Sequence, residues 1–221
     1  MTPEPPEEHE SRPVLSSPGW SWLLAIAVLA GIVALSVTLL RGGTGGERGA
    51  RGLQRGTEIP PFAAPLVGSN LDGDVNLARR RDSGPAGTVP ACSIRSPDVV
   101  TSCALLDKGP VILAFATLDD ECVRGFDTLA ASLRRLPVRA SVVGVAIRGD
   151  RDRWRSLAPR WPFPVVYDRD GGLATAFSIQ VCPQTTFVTA AGRVAGTVVG
   201  SVTADALRRQ ATAALRGAAG P

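Results

Sequence analysis

Short apolar runs alternate with stretches of helical periodicity through the middle of the chain. Pro110–Phe115 and Ala140–Ile147 are almost uniformly apolar, which is typical of buried strands. Between them, Cys122–Leu136 carries apolar residues at helical spacing and predicts an amphipathic helix. Asp150–Leu157 predicts a shorter helix, and Val165–Tyr167 predicts a third strand. The pattern therefore predicts strands that alternate with helices.

The C-terminal part of the chain predicts a hairpin and a closing helix. After a predicted helix at Asp168–Phe177, the strands Thr185–Val188 and Val194–Val199 flank a turn that contains Gly192. Thr203–Leu215 is amphipathic, and Thr203 is a suitable N-cap residue. The full order, β-α-β-α-β-α-β-β-α, predicts an α/β sandwich around a mixed central sheet.

The N-terminal part contains an uncharged apolar stretch, Trp20–Leu40, whose length matches a helix that spans a bilayer. A cleaved signal peptide is the alternative, but the preceding segment is acidic and no small-x-small cleavage site follows. We therefore expect an uncleaved transmembrane helix in contact with the lipid bilayer. The predicted organisation is a disordered tail at 1–18, this helix at 19–40, a flexible Gly/Arg linker at 41–58, a folded domain at 59–216 and a disordered tail at 217–221.

Composition excludes several kinds of chemistry. The 221 residues carry a mild net charge of +4 without a dense basic patch, so nucleic-acid binding is not expected. The only His is His9, in the N-terminal tail, which argues against His-based catalysis and His-ligated metals in the folded part. The four Cys are not spaced as a zinc site, and no phosphate-binding or dinucleotide-binding glycine motif follows a strand. We expect neither a metal nor a cofactor.

Several short motifs occur in the order found in the thioredoxin superfamily. Phe115-Ala116-Thr117 followed by Cys122 is similar to the active-site region of that family, and Pro183, Thr185 and Phe187 are similar to its cis-proline segment. Further matches are Gly56, Pro60-Pro61-Phe62, Asp72-Gly73 and Ala190-Ala191-Gly192-Arg193-Val194. Over residues 56–215 the chain most resembles membrane-anchored TlpA-type and redoxin (AhpC/TSA-like) domains. The resemblance implies a thioredoxin-like three-layer sandwich and a thiol–disulfide oxidoreductase acting on protein thiols or disulfides.

The active-site motif departs from that family at its first cysteine. Asp119 stands where the family has its attacking Cys, and Cys122 matches the second Cys. Asp is a favourable N-cap residue, so we expect Asp119 to cap the helix that follows. The acidic neighbours of Cys122 disfavour its thiolate. Cys182, directly before the expected cis-proline Pro183, lies at a position that faces the active-site turn in this family. The resemblance therefore implies a non-sequential Cys122/Cys182 pair, although two buried, inert thiols remain the alternative.

The remaining site residues are supporting or structural candidates. Pro183, Asp119 and Arg124 are candidates for active-site support, although a surface Arg is commonly only solvated. Cys92 and Cys103 flank a predicted turn at Pro97-Asp98 and are candidates for a structural disulfide. Trp154 and Trp161 are expected to pack in the core.

The location of the domain rests on two opposing signals. Arginines follow the apolar span and glutamates precede it, which by the positive-inside rule favours a cytoplasmic domain. An even number of cysteines and the family resemblance favour an oxidising compartment. We expect an extracytoplasmic domain because the charge rule is a bias.

Three functions follow from these motifs. The first is a membrane-anchored thiol–disulfide oxidoreductase that uses Cys122 and Cys182. The second is a redox-inactive thioredoxin-fold binding or scaffold domain, suggested by the missing first Cys. The third is a peroxiredoxin-like peroxidase, which the sequence supports least because Asp119 stands where that motif requires Thr.

Overall fold

The computed structural model describes residues 22–32, 52–71, 73, 75–77, 90–136 and 139–217. It divides the chain into two compact units, Met1–Gly46 and Glu47–Pro221. In the first unit, residues 22–32 form helix α1, whose large apolar side chains are exposed. Within the described ranges, no helix combines the length and the apolar character needed to cross a membrane. Residues 1–18 and 218–221 of the predicted tails, half of the predicted span at 19–40 and residues 41–51 of the predicted linker lie outside the described residues.

The second unit begins with a small antiparallel sheet. Its strands are β1 (Phe62–Pro65), β2 (Asn76–Leu77) and β3 (Val99–Thr101), in the order β2-β1-β3. The strand β1 is completely buried, as its run of small and apolar residues suggests. A 3₁₀ turn, Ala91–Ser93, precedes β3, and helix α2 (Ser102–Leu106) follows it.

Five strands form the central sheet. They are β4 (Val111–Ala116), β5 (Ser141–Ile147), β6 (Val165–Asp168), β7 (Gln184–Val188) and β8 (Val194–Val199), in the order β6-β5-β4-β7-β8. The strands β4, β5 and β6 are parallel, whereas β7 and β8 run antiparallel to their neighbours. The strand β4 lies at the centre of the sheet and is buried along its whole length, as expected of a uniformly apolar strand that is covered on both faces.

Four helices connect and cover these strands. They are α3 (Asp120–Leu133), α4 (Arg151–Leu157), α5 (Gly172–Ala176) and α6 (Ala204–Gly217). Two apolar clusters pack with them. One is centred on Phe126 of α3, whose ring makes edge contacts with Trp161 and Phe163 at centroid distances of 4.9 and 5.9 Å. The other contains Phe115 and Phe177, with ring centroids 5.2 Å apart.

The α/β class and the mixed sheet predicted from the apolar pattern are confirmed. Trp154 and Trp161 are buried as expected. The helix predicted from Asp168 begins only at Gly172, because Asp168 still belongs to β6. The buried carboxylate of Asp168 accepts hydrogen bonds from the backbone N–H groups of Leu173 and Ala174, at 3.0 and 2.8 Å. It therefore caps the N-terminus of α5, although Asp168 itself lies in the preceding strand.

Residues 52–58, which the sequence assigned to a flexible linker, belong to the second folded unit. Gly56 N–H donates to the carbonyl of Val194 at 2.7 Å, and Val194 N–H donates to the carbonyl of Thr57 at 2.8 Å. Ile59 N–H donates to the carbonyl of Gly192 at 2.9 Å. The segment 56–59 therefore pairs with the start of β8, and the ordered chain begins before the predicted boundary at residue 59. Composition alone missed this because Gly-rich segments read as flexible.

Candidate active site

The turn between β4 and α3 carries the first half of the candidate site. Asp119 occupies the N-cap position of α3, but its carboxylate makes no capping hydrogen bond to the helix. It instead accepts a hydrogen bond from the hydroxyl of Thr117 at 2.6 Å. Asp119 is therefore at the N-cap position, as expected, but its side chain does not cap the helix. Asp120 and Glu121 follow in the first turn, where carboxylates suit the positive end of a helix.

The loop before β7 carries the second half. The peptide bond between Cys182 and Pro183 is cis, as the resemblance implied. Because β7 pairs antiparallel with β4, with Gln184 opposite Phe115, the start of β7 meets the end of β4. This register places Cys182 beside the turn that leads into α3.

The two halves meet at a disulfide between Cys122 and Cys182, whose Cα atoms are 5.3 Å apart. That separation is within the range of protein disulfides. Sixty positions separate the two residues in the sequence. The pair therefore depends on the strand register and on the position of α3, and not on local spacing.

The two cysteines have different surroundings. Cys122 is 6% exposed and packs in the cluster around Phe126. Cys182 is half-buried and packs at the margin of the same cluster. The backbone N–H of Thr117 donates to Sγ of Cys182 at 3.4 Å, and the hydroxyl oxygen of Thr117 lies 3.6 Å from the same sulfur. Cys122 is thus enclosed by apolar groups, whereas Cys182 is partly exposed and its sulfur lies beside polar groups of Thr117.

Close packing between α3 and the proline loop supports this geometry. A Cβ atom at Gly125 would overlap the side chain of Pro183, so only glycine fits here without displacement of one element. Gly125 is one turn after Cys122 on the same helix. Its missing side chain therefore lets the helix approach the loop that carries Cys182.

Arg124 is exposed and lines a cleft of about 150 Å³ beside the site. Pro183, Thr185 and Ser201 contribute to the same cleft. On its wall, the hydroxyl of Ser201 donates to the Glu121 carboxylate at 2.8 Å. The structure therefore places Arg124 next to the proline loop, and its predicted supporting role stays a prediction.

Cys92 and Cys103 also form a disulfide, with Cα atoms 5.6 Å apart. It links the 3₁₀ turn Ala91–Ser93 to α2 and closes a loop that contains β3 and a turn at Pro97-Asp98. Within the described residues all four cysteines are paired, and no group of three or more His, Cys, Asp or Glu residues is arranged to hold a metal ion.

Two residues of the site were not identified from the sequence. Thr117 was noted only as part of the family's active-site motif. No nearby feature of the sequence indicates that it contacts Cys182, which lies 65 positions later. Gly125 carried a usable signal, because an isolated glycine inside a helical pattern often marks a close approach.

No protein-family model matches the sequence, and no curated protein matches it. Solved structures do match. A candidate thiol:disulfide interchange protein DsbE from Chlorobium tepidum is 20% identical, with a TM-score of 0.51 over 73% of this chain and 98% of that one. A DsbF homologue from Corynebacterium diphtheriae is 17% identical, with a TM-score of 0.51 over 70% and 85% of the two chains.

The peroxidoxin BcpB from Mycobacterium tuberculosis is 21% identical, with a TM-score of 0.50 over 75% of this chain and 97% of that one. At these identities the likeness concerns the fold, since unrelated activities share it. The mixed sheet, the helix that starts after β4 and the cis-proline before β7 agree with that likeness. The second unit of this chain has a thioredoxin-like fold.

Proposed function

We propose that this protein is a thiol–disulfide oxidoreductase whose reactive pair is Cys122 and Cys182. The observation that carries the proposal is the juxtaposition of a half-buried and a buried cysteine across the helix start and the proline loop. A partly exposed cysteine beside a buried one suits an exchange site, because one sulfur must meet the substrate and the other must resolve the intermediate. The structural similarity to a DsbE protein and to a DsbF homologue supports the same class of reaction.

The reaction consists of two thiol–disulfide exchanges. A thiolate of the reduced pair attacks a substrate disulfide, forms a mixed disulfide and releases one substrate thiolate. The second cysteine of the pair then attacks the mixed disulfide and releases the other substrate thiolate. The substrate gains two electrons and the Cys122–Cys182 disulfide re-forms. A dithiol donor returns the pair to the reduced state, and in the opposite direction the disulfide oxidises a substrate dithiol.

The same proposal includes attachment to a membrane and an extracytoplasmic location. The uncharged length of residues 19–40 supports a bilayer-spanning anchor. Four cysteines in two pairs support an oxidising compartment. Membrane fractionation, followed by protease treatment of intact cells, tests both points. An anchored, external domain stays with the membranes and is cut from outside, whereas a domain that is protected in intact cells contradicts the assignment.

A redox-inactive scaffold is the second candidate, and the observation that favours it is Asp119. A carboxylate at the family's first cysteine position cannot exchange disulfides, and it lies next to the remaining pair. In this case the Cys122–Cys182 disulfide is a permanent cross-link. The peroxidase alternative has less support because Cys122 is buried and lacks the neighbouring Thr of that motif.

A redox titration of the full-length chain in detergent separates these candidates. The fraction of each disulfide is measured by mass spectrometry in buffers of defined thiol/disulfide ratio. A Cys122–Cys182 potential between about −120 and −270 mV is expected for an exchange enzyme. A pair that stays oxidised below about −300 mV indicates a structural cross-link. The Cys92–Cys103 pair is the internal reference, and the Cys122→Ser/Cys182→Ser double variant is the control for catalysis of a model exchange.

A further inference from the structure

We propose that Cys182 in the proline loop is the attacking cysteine and that Cys122 on the helix is the resolving one. This inference rests on the proposed exchange reaction and specifies its order. It reverses the usual roles of the two elements, since the helix supplies the attacking thiolate in the family that the sequence resembles.

Accessibility is the first argument. An attacking sulfur must meet a substrate disulfide, and Cys122 is only 6% exposed within an apolar cluster. Cys182 is half-buried, and its neighbour Val181 is exposed at the surface. Cys182 is therefore the more exposed residue of the pair, and attack by Cys122 requires local opening of the α3 packing.

Hydrogen bonding is the second argument. A thiolate is stabilised by donors that point at it. Thr117 supplies its backbone N–H at 3.4 Å and has its hydroxyl oxygen 3.6 Å from Sγ of Cys182. The carbonyl of Phe115, at 3.9 Å, is an acceptor for the protonated thiol at the outer limit of contact. The backbone donor is fixed by the chain and survives any substitution other than proline.

Local charge is the third argument. Asp120 and Glu121 directly precede Cys122, and like charges disfavour a second anion beside them. Cys182 is preceded by Val181 and followed by Pro183, so no acidic residue adjoins it in the sequence. Asp119 reaches the surroundings of Cys182 through the hydroxyl of Thr117, which lies between the carboxylate and the sulfur.

The balanced steps follow from this assignment. In the reducing direction, the Cys182 thiolate attacks one sulfur of the substrate disulfide, an S–S bond forms to Cys182, and one substrate thiolate leaves. Cys122, as a thiolate, then attacks Sγ of Cys182 and expels the second substrate thiolate. In the oxidising direction, a substrate thiolate attacks Sγ of Cys182, and Cys122 is the leaving group. The mixed disulfide forms on Cys182 in both directions.

The test uses the full-length chain in detergent, reduced and then freed of reductant. Cys122→Ser and Cys182→Ser variants are mixed with oxidised glutathione and quenched with acid at successive times. Peptide mapping locates the glutathione adduct on each variant. We expect the adduct on Cys182 of the Cys122→Ser variant to form at least about tenfold faster than the adduct on Cys122 of the Cys182→Ser variant. The reverse order overturns the assignment.

A second measurement does not depend on these variants. The reduced wild-type chain is treated with a limiting amount of iodoacetamide, and the label is expected on Cys182 before Cys122. Preferential labelling of Cys122 contradicts the proposal. The Thr117→Val variant keeps the backbone donor and loses only the hydroxyl, which donates to Asp119 in the structure, so Cys182 is still expected to be labelled before Cys122. Labelling of Cys122 first in this variant contradicts the role given to the backbone donor.

Failure of the proposed function gives a different result. If wild-type protein catalyses the exchange of a model peptide disulfide but adducts accumulate on Cys122, the order of attack is wrong and the oxidoreductase stands. If Cys182 reacts first but the wild type does not exceed the rate of the Cys122→Ser/Cys182→Ser variant, the order is supported and the enzyme assignment fails.

Discussion

The hydroxyl of Thr117 donates a hydrogen bond to the Asp119 carboxylate at 2.6 Å, and its oxygen lies 3.6 Å from Sγ of Cys182. A hydroxyl has one proton to donate, so Asp119 and a Cys182 thiolate compete for it. The residue at the family's first cysteine position thus restrains the cysteine that we assign to attack.

Replacement of Asp119 by Ala is therefore expected to increase the reactivity of Cys182. The change removes a negative charge near the sulfur and frees the Thr117 hydroxyl, and both effects favour the thiolate. We expect iodoacetamide to label Cys182 about threefold faster or more at neutral pH, measured by peptide mapping of the reduced chain. Asp120→Ala removes a neighbouring charge without this hydrogen bond and is the matched control. A slower reaction in Asp119→Ala indicates that the carboxylate assists the cysteine.

Replacement of Gly125 by Ala tests the contact with Pro183. Alanine is favoured over glycine in a helix by about 1 kcal/mol, so the variant would be more stable if there were free space. The overlap with Pro183 instead predicts a lower free energy of unfolding, by about 1 kcal/mol, and slower formation of the Cys122–Cys182 disulfide. Denaturant unfolding and timed oxidation measure these two effects.

Gly68 is the comparison position for that experiment, because a Cβ atom there meets no atom within 4 Å. Gly68→Ala is expected to leave disulfide formation unchanged. Increased stability together with normal oxidation in Gly125→Ala shows that the helix and the loop have room to separate.

Arg151 is expected to be a main stabiliser of the loop after β1. Its guanidinium donates to the carbonyl oxygens of Leu66, Val67, Ser69 and Leu71, and to the hydroxyl of Ser69. Arg151→Ala is expected to lower the free energy of unfolding by about 2 kcal/mol, since several carbonyl groups lose a charged donor. Arg153→Ala, at an exposed position of the same helix, should change it by less than about 0.5 kcal/mol. Similar effects in both variants rule out a special role for Arg151.

Removal of the Cys92–Cys103 disulfide should affect stability and spare the exchange reaction. The Cys92→Ser/Cys103→Ser variant is expected to lose about 2–4 kcal/mol of unfolding free energy, as is usual for loops of this kind. Its rate of exchange with a model peptide disulfide, measured well below its melting temperature, should match that of the wild type. Loss of exchange in a folded variant would mean that this pair takes part in the reaction.

The sequence predicted those features that depend on local pattern. Uniform apolar runs identified β4 and β5, and helical periodicity identified α3, because burial on one or both faces fixes residue type along an element. The Cys122/Cys182 pair was inferred only through resemblance to a family, since nothing near either residue points to the other.

The finer features of the site could not be predicted because they depend on how distant elements meet. The hydrogen bonds from Thr117 to Cys182 exist only once β4 pairs with β7. The side chain of Asp119 was expected to cap α3, but the hydroxyl two residues earlier provides a competing partner. The pairing of residues 56–59 with β8 was hidden by their glycine content.

The separation of 60 positions between Cys122 and Cys182 links the redox state of the protein to its resistance to unfolding. In a sequential pair the cross-link encloses only a few residues and hardly constrains the unfolded chain. Here it encloses strands β5 and β6 and helices α4 and α5. Closure of a loop of this length reduces the entropy of the unfolded chain by the equivalent of about 4 kcal/mol at room temperature. The proposed exchange reaction therefore alternates between a tightly constrained oxidised form and a looser reduced form, and we expect proteases to degrade the reduced form first.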